Sequence, residues 1–190
     1  LGERIEILDR AEGIISKFKF MSTVEIRTGS LKQPYLSLDE YELKAAEASL
    51  SLKDDEMLLV MGPPGTGKTQ FIAEAARILG KREKVLVTSH AHQSVDNMFE
   101  SLPDIDYAVR IGSHLKISDE AKRFSAESKY LENVPKYLNK HELAKEYARR
   151  FKEINLAQQD ILSKDNFLAG ATVTKSITYP LKGKHFDTIF

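Results

Sequence analysis

The chain contains no cysteine, which excludes disulfides, thiolate metal ligands and a cysteine nucleophile. It also lacks an excess of charge of either sign. Its 28 Lys and Arg are matched by 28 Asp and Glu, so any case for a nucleic-acid, membrane or acidic partner rests on local clusters. No apolar run approaches the roughly 20 residues of a membrane span. The opening Leu1-Gly2-Glu3-Arg4 is charged, unlike a secretory signal. These absences point to a soluble intracellular protein with no membrane partner, cytoplasmic in a prokaryote and nuclear or cytoplasmic in a eukaryote. A length of 190 residues suits one domain, or one large domain with an inserted subdomain. The start on Leu1 and the stop at Phe190, inside the apolar run Phe186–Phe190, suggest a piece of a longer protein.

Within residues 1–35, Thr23–Thr28 alternates like a half-buried strand before a Gly29-Ser30 turn, after a short helical pattern. The spacing of apolar residues from Asp39 to Ser51 predicts a helix, broken by Lys53-Asp54-Asp55. Met57–Met61 is a continuous apolar run, as expected of a parallel strand covered on both faces. Phe71, Ile72, Ala75, Ala76, Ile78 and Leu79 then fall at helical spacing, with Gly80 as a C-terminal stop. Val85–Thr88 reads as a strand, Ser94–Leu102 as a helix, Tyr107–Ile111 as a strand, and Phe167–Thr172 and the terminal run as two more. This alternation predicts an α/β fold with a parallel sheet. From Ser118 to Lys164 the pattern is charged helix, with Leu143, Tyr147, Phe151, Ile154 and Ile161 forming one apolar stripe. Charges nearly cancel there, with eleven Lys and Arg against nine Asp and Glu from Lys116 to Asp165, which favours a solvated helix packed on its neighbour.

Between the predicted strand at 57–61 and the helix that follows lies Gly62-Pro63-Pro64-Gly65-Thr66-Gly67-Lys68-Thr69, a full match to G-x-x-x-x-G-K-[ST]. Glycines allow positive φ, so that several N–H groups converge on one point, and the following helix adds the positive end of its dipole. The result is an anion cradle for a nucleoside triphosphate. Lys68 is the candidate catalytic residue, reaching the β and γ phosphates, and the Thr69 hydroxyl is the candidate magnesium ligand.

Thr88-Ser89-His90-Ala91-His92-Gln93-Ser94-Val95-Asp96-Asn97 lies just beyond the next strand, where doubly wound sheets present ligand-binding loops. It resembles the second conserved motif of superfamily 1 helicases of the 5′-to-3′ class, above all the replication nuclease-helicase and nonsense-mediated-decay helicase lineages. Val109-Arg110-Ile111-Gly112 and Ala169-Gly170-Ala171-Thr172-Val173-Thr174 agree with it in order and spacing. The resemblance spans about Ser37 to Phe190 and implies a RecA-like ATP-binding domain over 36–115 and 166–190. It implies a helical insertion over 116–165 and leaves 1–35 without an assigned role. ATP and Mg2+ are the implied cofactors, and single-stranded DNA or RNA and a second motor domain of the same protein the implied partners. Ser89, His90, His92, Thr172 and Thr174 are the implied strand contacts, of a kind that binds phosphate without reading sequence. Asp96 and Asn97 are divided between holding the loop and direct contact.

Two departures accompany the resemblance. Relatives place an adenine-reading glutamine where this chain has Glu42, whose carboxylate accepts from the adenine amino group but cannot donate to a ring nitrogen. An exposed helix residue is the alternative reading. Relatives also continue the last strand into an Asp-Glu pair that completes magnesium coordination. Asp187 matches an earlier position and is not a catalyst. The expectation is a first motor domain that hydrolyses ATP poorly alone. Rivals are a protein-remodelling ring ATPase, which shares the glycine loop only, and a nucleotide-gated binding module without unwinding activity.

Overall fold

A computed structural model describes residue 31 and residues 33–131 and 139–190, with the side chains of Leu143 and Tyr147 left outside that set. The helical and strand patterns expected before residue 31 lie outside the described residues. The helices are α1 (Glu40–Leu50), α2 (Lys68–Leu79), α3 (His92–Glu100), α4 (Ala126–Leu131), α5 (Lys140–Leu162) and the single turn α6 (Val173–Ser176). The strands are β1 (Lys84–Ser89), β2 (Ala108–Arg110), β3 (Phe167–Thr172) and β4 (Thr188–Ile189). All pair in parallel in the order β2-β3-β1-β4.

Alternation along the strands divides the core into two layers. Val85, Val87 and Leu168 face α2 and α3, where Ala73, Ala76, Val95, Met98 and Phe99 are buried. Leu86, Phe167, Ala169 and Ala171 face the other way, against Leu162, Leu181 and Phe186. Burial of both faces explains why β3 reads as a continuous small-apolar run with no exposed position. Gly170 has no side chain because α3 leaves no room for one. A β-carbon there would lie 2.0 Å from Phe99 Cε2.

Helix ends follow local chemistry. Asp39 and Glu42 form a reciprocal capping box at the start of α1, and Asn139 and Glu142 form one at the start of α5. Gly80 does end α2, but in the right-handed region (φ −60°); its value is close packing, since a β-carbon would stand 3.0 Å from Ala76 O and Leu168 Cβ.

Two sequence expectations are corrected. Met57–Met61 is not a strand and joins no ladder, and Leu59 and Met61 are 78% and 86% exposed. The described sheet ends at β4, and 57–61 pairs with none of the described strands, so the run has no ladder to join and those two side chains stay in solvent. On α5 the buried side is carried by Ile154, Gln158 and Leu162, while Phe151 is exposed. Ile117, Ala121 and Phe124 belong to the same core layer as α2 and α3, with Phe124 edge-on to Phe99 at 5.4 Å. Among the described residues no helix is long and apolar enough to cross a membrane.

Candidate nucleotide and nucleic-acid site

The glycine loop enters α2 through Gly65 (φ 82°) and Gly67 (φ 69°), the latter being the N-cap of the helix. L-residues avoid this left-handed region, and it is what turns the loop's N–H groups inward. Gly67 is constrained twice, since a β-carbon there would overlap the Glu42 carboxylate. No side chain caps α2 and no acidic residue sits in its first turn, so its N-terminal N–H groups are left for an anion. The Lys68 ammonium folds back and donates to the Gly62 and Pro63 carbonyls at 2.5 and 2.6 Å, while Thr66 Oγ1 donates to Pro63 O at 2.8 Å. Above them an open depression of about 530 Å³ is lined by Val60, Met61, Gly62, Pro63 and Lys68. Thr69 lies half-buried on the first turn of α2. These groups fit a polyphosphate: converging donors, a mobile ammonium and no carboxylate in the helix's first turn. Among the described residues no cluster of three His, Asp or Glu is arranged to hold a metal.

Glu42 stands at the edge of this cradle. Its Oε2 accepts from the Asp39 N–H at 2.7 Å, and its other oxygen abuts Gly67. The carboxylate therefore both caps α1 and lies against the loop. The segment before α1 is tied to α2 by Glu74, fully buried, which accepts from the Tyr35 and Leu36 N–H groups and from Arg77.

The sheet brings the other expected contacts to one end. Parallel register sets half-buried Ser89 directly beside Thr172, itself buried, so the two motifs lie side by side at the ends of β1 and β3. His90 is exposed in the loop after β1, and Thr174 is exposed on α6. His92 opens α3, whose N-cap residue Ala91 offers no side-chain bond, leaving further unsatisfied N–H groups at this end.

Behind His92 lies a network whose extent the sequence does not reveal. Arg110 on β2 is fully buried and donates from Nε to Asp96 Oδ1 at 2.7 Å and from Nη1 to the Ile111 carbonyl at 2.7 Å. Asp96, 1% exposed, also accepts from the Ser118 N–H at 3.0 Å. Asp96 thus holds the loop and is removed from direct contact. Asn97 is exposed and accepts from Gln93 Nε2 at 2.6 Å. Arg110 Nη2 stands 3.4 Å from His92 Nδ1. A guanidinium cannot accept, so Nδ1 is assigned as the acceptor and Nε2 carries the proton. Burial, then the charges of Arg110 and Lys116, hold His92 below its ordinary pKa against the opposing pull of Asp96. These influences favour the neutral ring, whose proton the assigned tautomer places on Nε2. An arginine in a predicted parallel strand, fourteen residues after an aspartate on a helix, was the available signal. The Asp187 carboxylate accepts from the Lys84 N–H at 2.8 Å at the start of β1.

A parallel sheet covered on both faces, with a glycine loop feeding the first turn of a helix, defines a P-loop nucleotide-binding domain of RecA-like α/β type. A family model described as an AAA domain matches residues 37–181, and the chain belongs to that family. It is 31% identical over 91 residues to the DNA replication ATP-dependent helicase/nuclease of Saccharomyces cerevisiae, covering 47% of this chain and 6% of the relative. The protein of that name from Schizosaccharomyces pombe is 44% identical over 68 residues, covering 35% and 5%. An uncharacterized ATP-dependent helicase of Methanocaldococcus jannaschii is 33% identical over 107 residues, covering 53% and 16%. The matches thus span at most about a sixth of these relatives' own length.

Proposed function

We propose that this chain is the ATP-binding part of a motor that moves along single-stranded DNA or RNA inside the cell. The observation that carries the reading is the register pair Ser89 and Thr172. It sets the two strand-contact motifs side by side at the sheet end where β1 gives way to α3, the helix packed beside α2 and its glycine loop. In this reading Gly62 to Thr69 enclose the phosphates, with Pro63, Pro64 and Thr66 shaping the loop, and Lys68 leaves its carbonyl partners to neutralise charge on the transferred phosphoryl group. Magnesium, when bound, supplies Lewis-acid stabilisation of that group, and the Thr69 hydroxyl is its ligand from this chain. Glu42, beside Gly67, takes the adenine amino group. Ser89, His90, His92, Thr172 and Thr174 grip the sugar-phosphate backbone, His92 through the Nε2–H that Arg110 orients. A second motor domain of the same protein completes the ATP site.

Support comes from relatives named as ATP-dependent helicases and from the uncapped first turns of α2 and α3. The test is ATP turnover by the full-length protein with and without single-stranded DNA or RNA oligonucleotides. Stimulation by either is expected, with His92→Ala weakening strand binding and leaving ATP binding intact. Turnover indifferent to both polymers sinks the reading. For Glu42, the variant Glu42→Gln is expected to sharpen preference for ATP over GTP, and an unchanged ratio removes it from the base site.

A further inference from the structure

A second cavity lies away from the glycine loop. It has a volume of about 470 Å³ and sits between α5, α4 and the segment that follows β3. That size is within the roughly 300–1,000 Å³ of small-molecule sites. Its wall includes Gln158 and Asn155 from α5, Glu127 from α4, Leu115 from the turn after β2, and Lys175 and Tyr179 from the segment beyond Thr172.

Gln158 is the informative residue. It is only 5% exposed, and no hydrogen bond joins its side-chain amide to another described residue, yet the amide is not among the sealed unpaired groups, so its polar atoms open onto the cavity. An amide open to a cavity offers two donors and an acceptor to whatever fills it. An apolar occupant would seal those atoms from water without giving them a partner, which costs free energy. A planar group edged with donors and acceptors matches it. Amide side chains pair in two-point fashion with the edges of nucleobases. The rim is suited to the rest of a nucleotide. Tyr179, 53% exposed, offers a ring face for stacking. Lys175, whose Nζ donates to the Tyr179 carbonyl at 2.7 Å, sets a positive charge beside it. Glu127 is already engaged by the His114 N–H at 2.8 Å. Lys175 and Tyr179 follow Thr172 and Thr174 in the chain, so the opening lies close to the threonines assigned above to the strand.

We infer that the cavity takes one nucleotide of the bound single strand, its base turned inward onto the amides of Gln158 and Asn155. The inference rests on the single-strand reading above and adds to it a point at which bases, and not only phosphates, are felt.

The test uses the full-length protein and a set of single-stranded DNA oligonucleotides carrying 2-aminopurine or an abasic sugar at each position in turn. One position is expected to change its 2-aminopurine emission on binding, and an abasic sugar there to weaken binding about 5–150-fold, the range for losing one base contact. With Gln158→Leu the same loss is expected on the intact strand, and the abasic substitution then costs nothing more. Melting at or above the wild-type temperature shows that Gln158→Leu is folded. Should it unfold, Tyr179→Ala at the exposed rim serves in its place, with the same loss expected. Strands that bind while no position matters, or losses that simply add, overturn the pocket and leave the motor reading standing. Failure of the wild type to bind any single strand overturns both. Competition for the pocket by free deoxynucleoside monophosphates, without any position effect in strands, overturns the strand-borne source.

Discussion

Replacing Asp96 by alanine isolates the network behind His92. The carboxylate is 1% exposed and is the counter-charge of an arginine that is wholly buried, with Nε and Oδ1 2.7 Å apart. Removing one partner of such a pair leaves the other charge without compensation, at about 3–5 kcal/mol. The Ser118 N–H loses its acceptor as well. For a domain of this size each kcal/mol moves the melting temperature by roughly 2–4 °C, so Asp96→Ala is expected to melt about 6–20 °C below the wild type. Differential scanning calorimetry with urea titration measures it. Replacing both partners with apolar residues, Asp96→Leu with Arg110→Met, removes the stranded charge and is expected to recover at least half of the loss. The reasoning is refuted if Asp96→Ala melts within a degree or two of the wild type, or if the double replacement is worse than the single one.

Three other outcomes follow from the same geometry. Lys68→Ala is expected to weaken binding of a fluorescent ATP analogue roughly 10–100-fold, the scale of a charge-assisted hydrogen bond, with the melting temperature of the ligand-free protein nearly unchanged. Gly170→Ala, whose β-carbon meets the Phe99 ring at 2.0 Å, is expected to destabilise by about 1–3 kcal/mol in urea titration, and pairing it with Phe99→Leu to restore part of that. Burial is the first cause that holds His92 and His114 below the ordinary histidine value of 6.5, with neighbouring cations adding to it. Because the unfolded chain then binds protons more readily, stability is full above about 6.5 and falls as pH drops from there toward the lowered folded values. Melting between pH 7.5 and 5.5 is expected to show this decline, and His92→Gln with His114→Gln to flatten it.

Much of the fold was legible because its signals are local. The helical spacing from Asp39 to Ser51 and from Phe71 to Leu79 and the apolar runs at 85–88 and 167–172 all fix their elements from within a few residues. What escaped depends on distant partners. Met57–Met61 has the composition of a strand, but a strand requires a neighbour, and none of the described strands stands beside it. Phe151 fits the apolar stripe of α5 by spacing, yet the helix buries the side of Ile154, Gln158 and Leu162, a rotation set by what it packs against. In the site, the glycine loop was readable from its own eight residues. The Ser89 and Thr172 pair and the reach of Arg110 to His92 and Asp96 were not, since each joins residues 14 to 83 positions apart through the sheet.

The folded-back Lys68 makes the loop's own carbonyls competitors for its cation. An incoming anion gains the ammonium only by outbidding two backbone carbonyls, so part of each new hydrogen bond replaces an old one. A single weak acceptor such as inorganic phosphate or sulfate recovers little from that exchange. A triphosphate, touching the N–H groups of the loop and the lysine at once, recovers much more. In the function proposed above, the loop thereby selects among phosphates by their chain length.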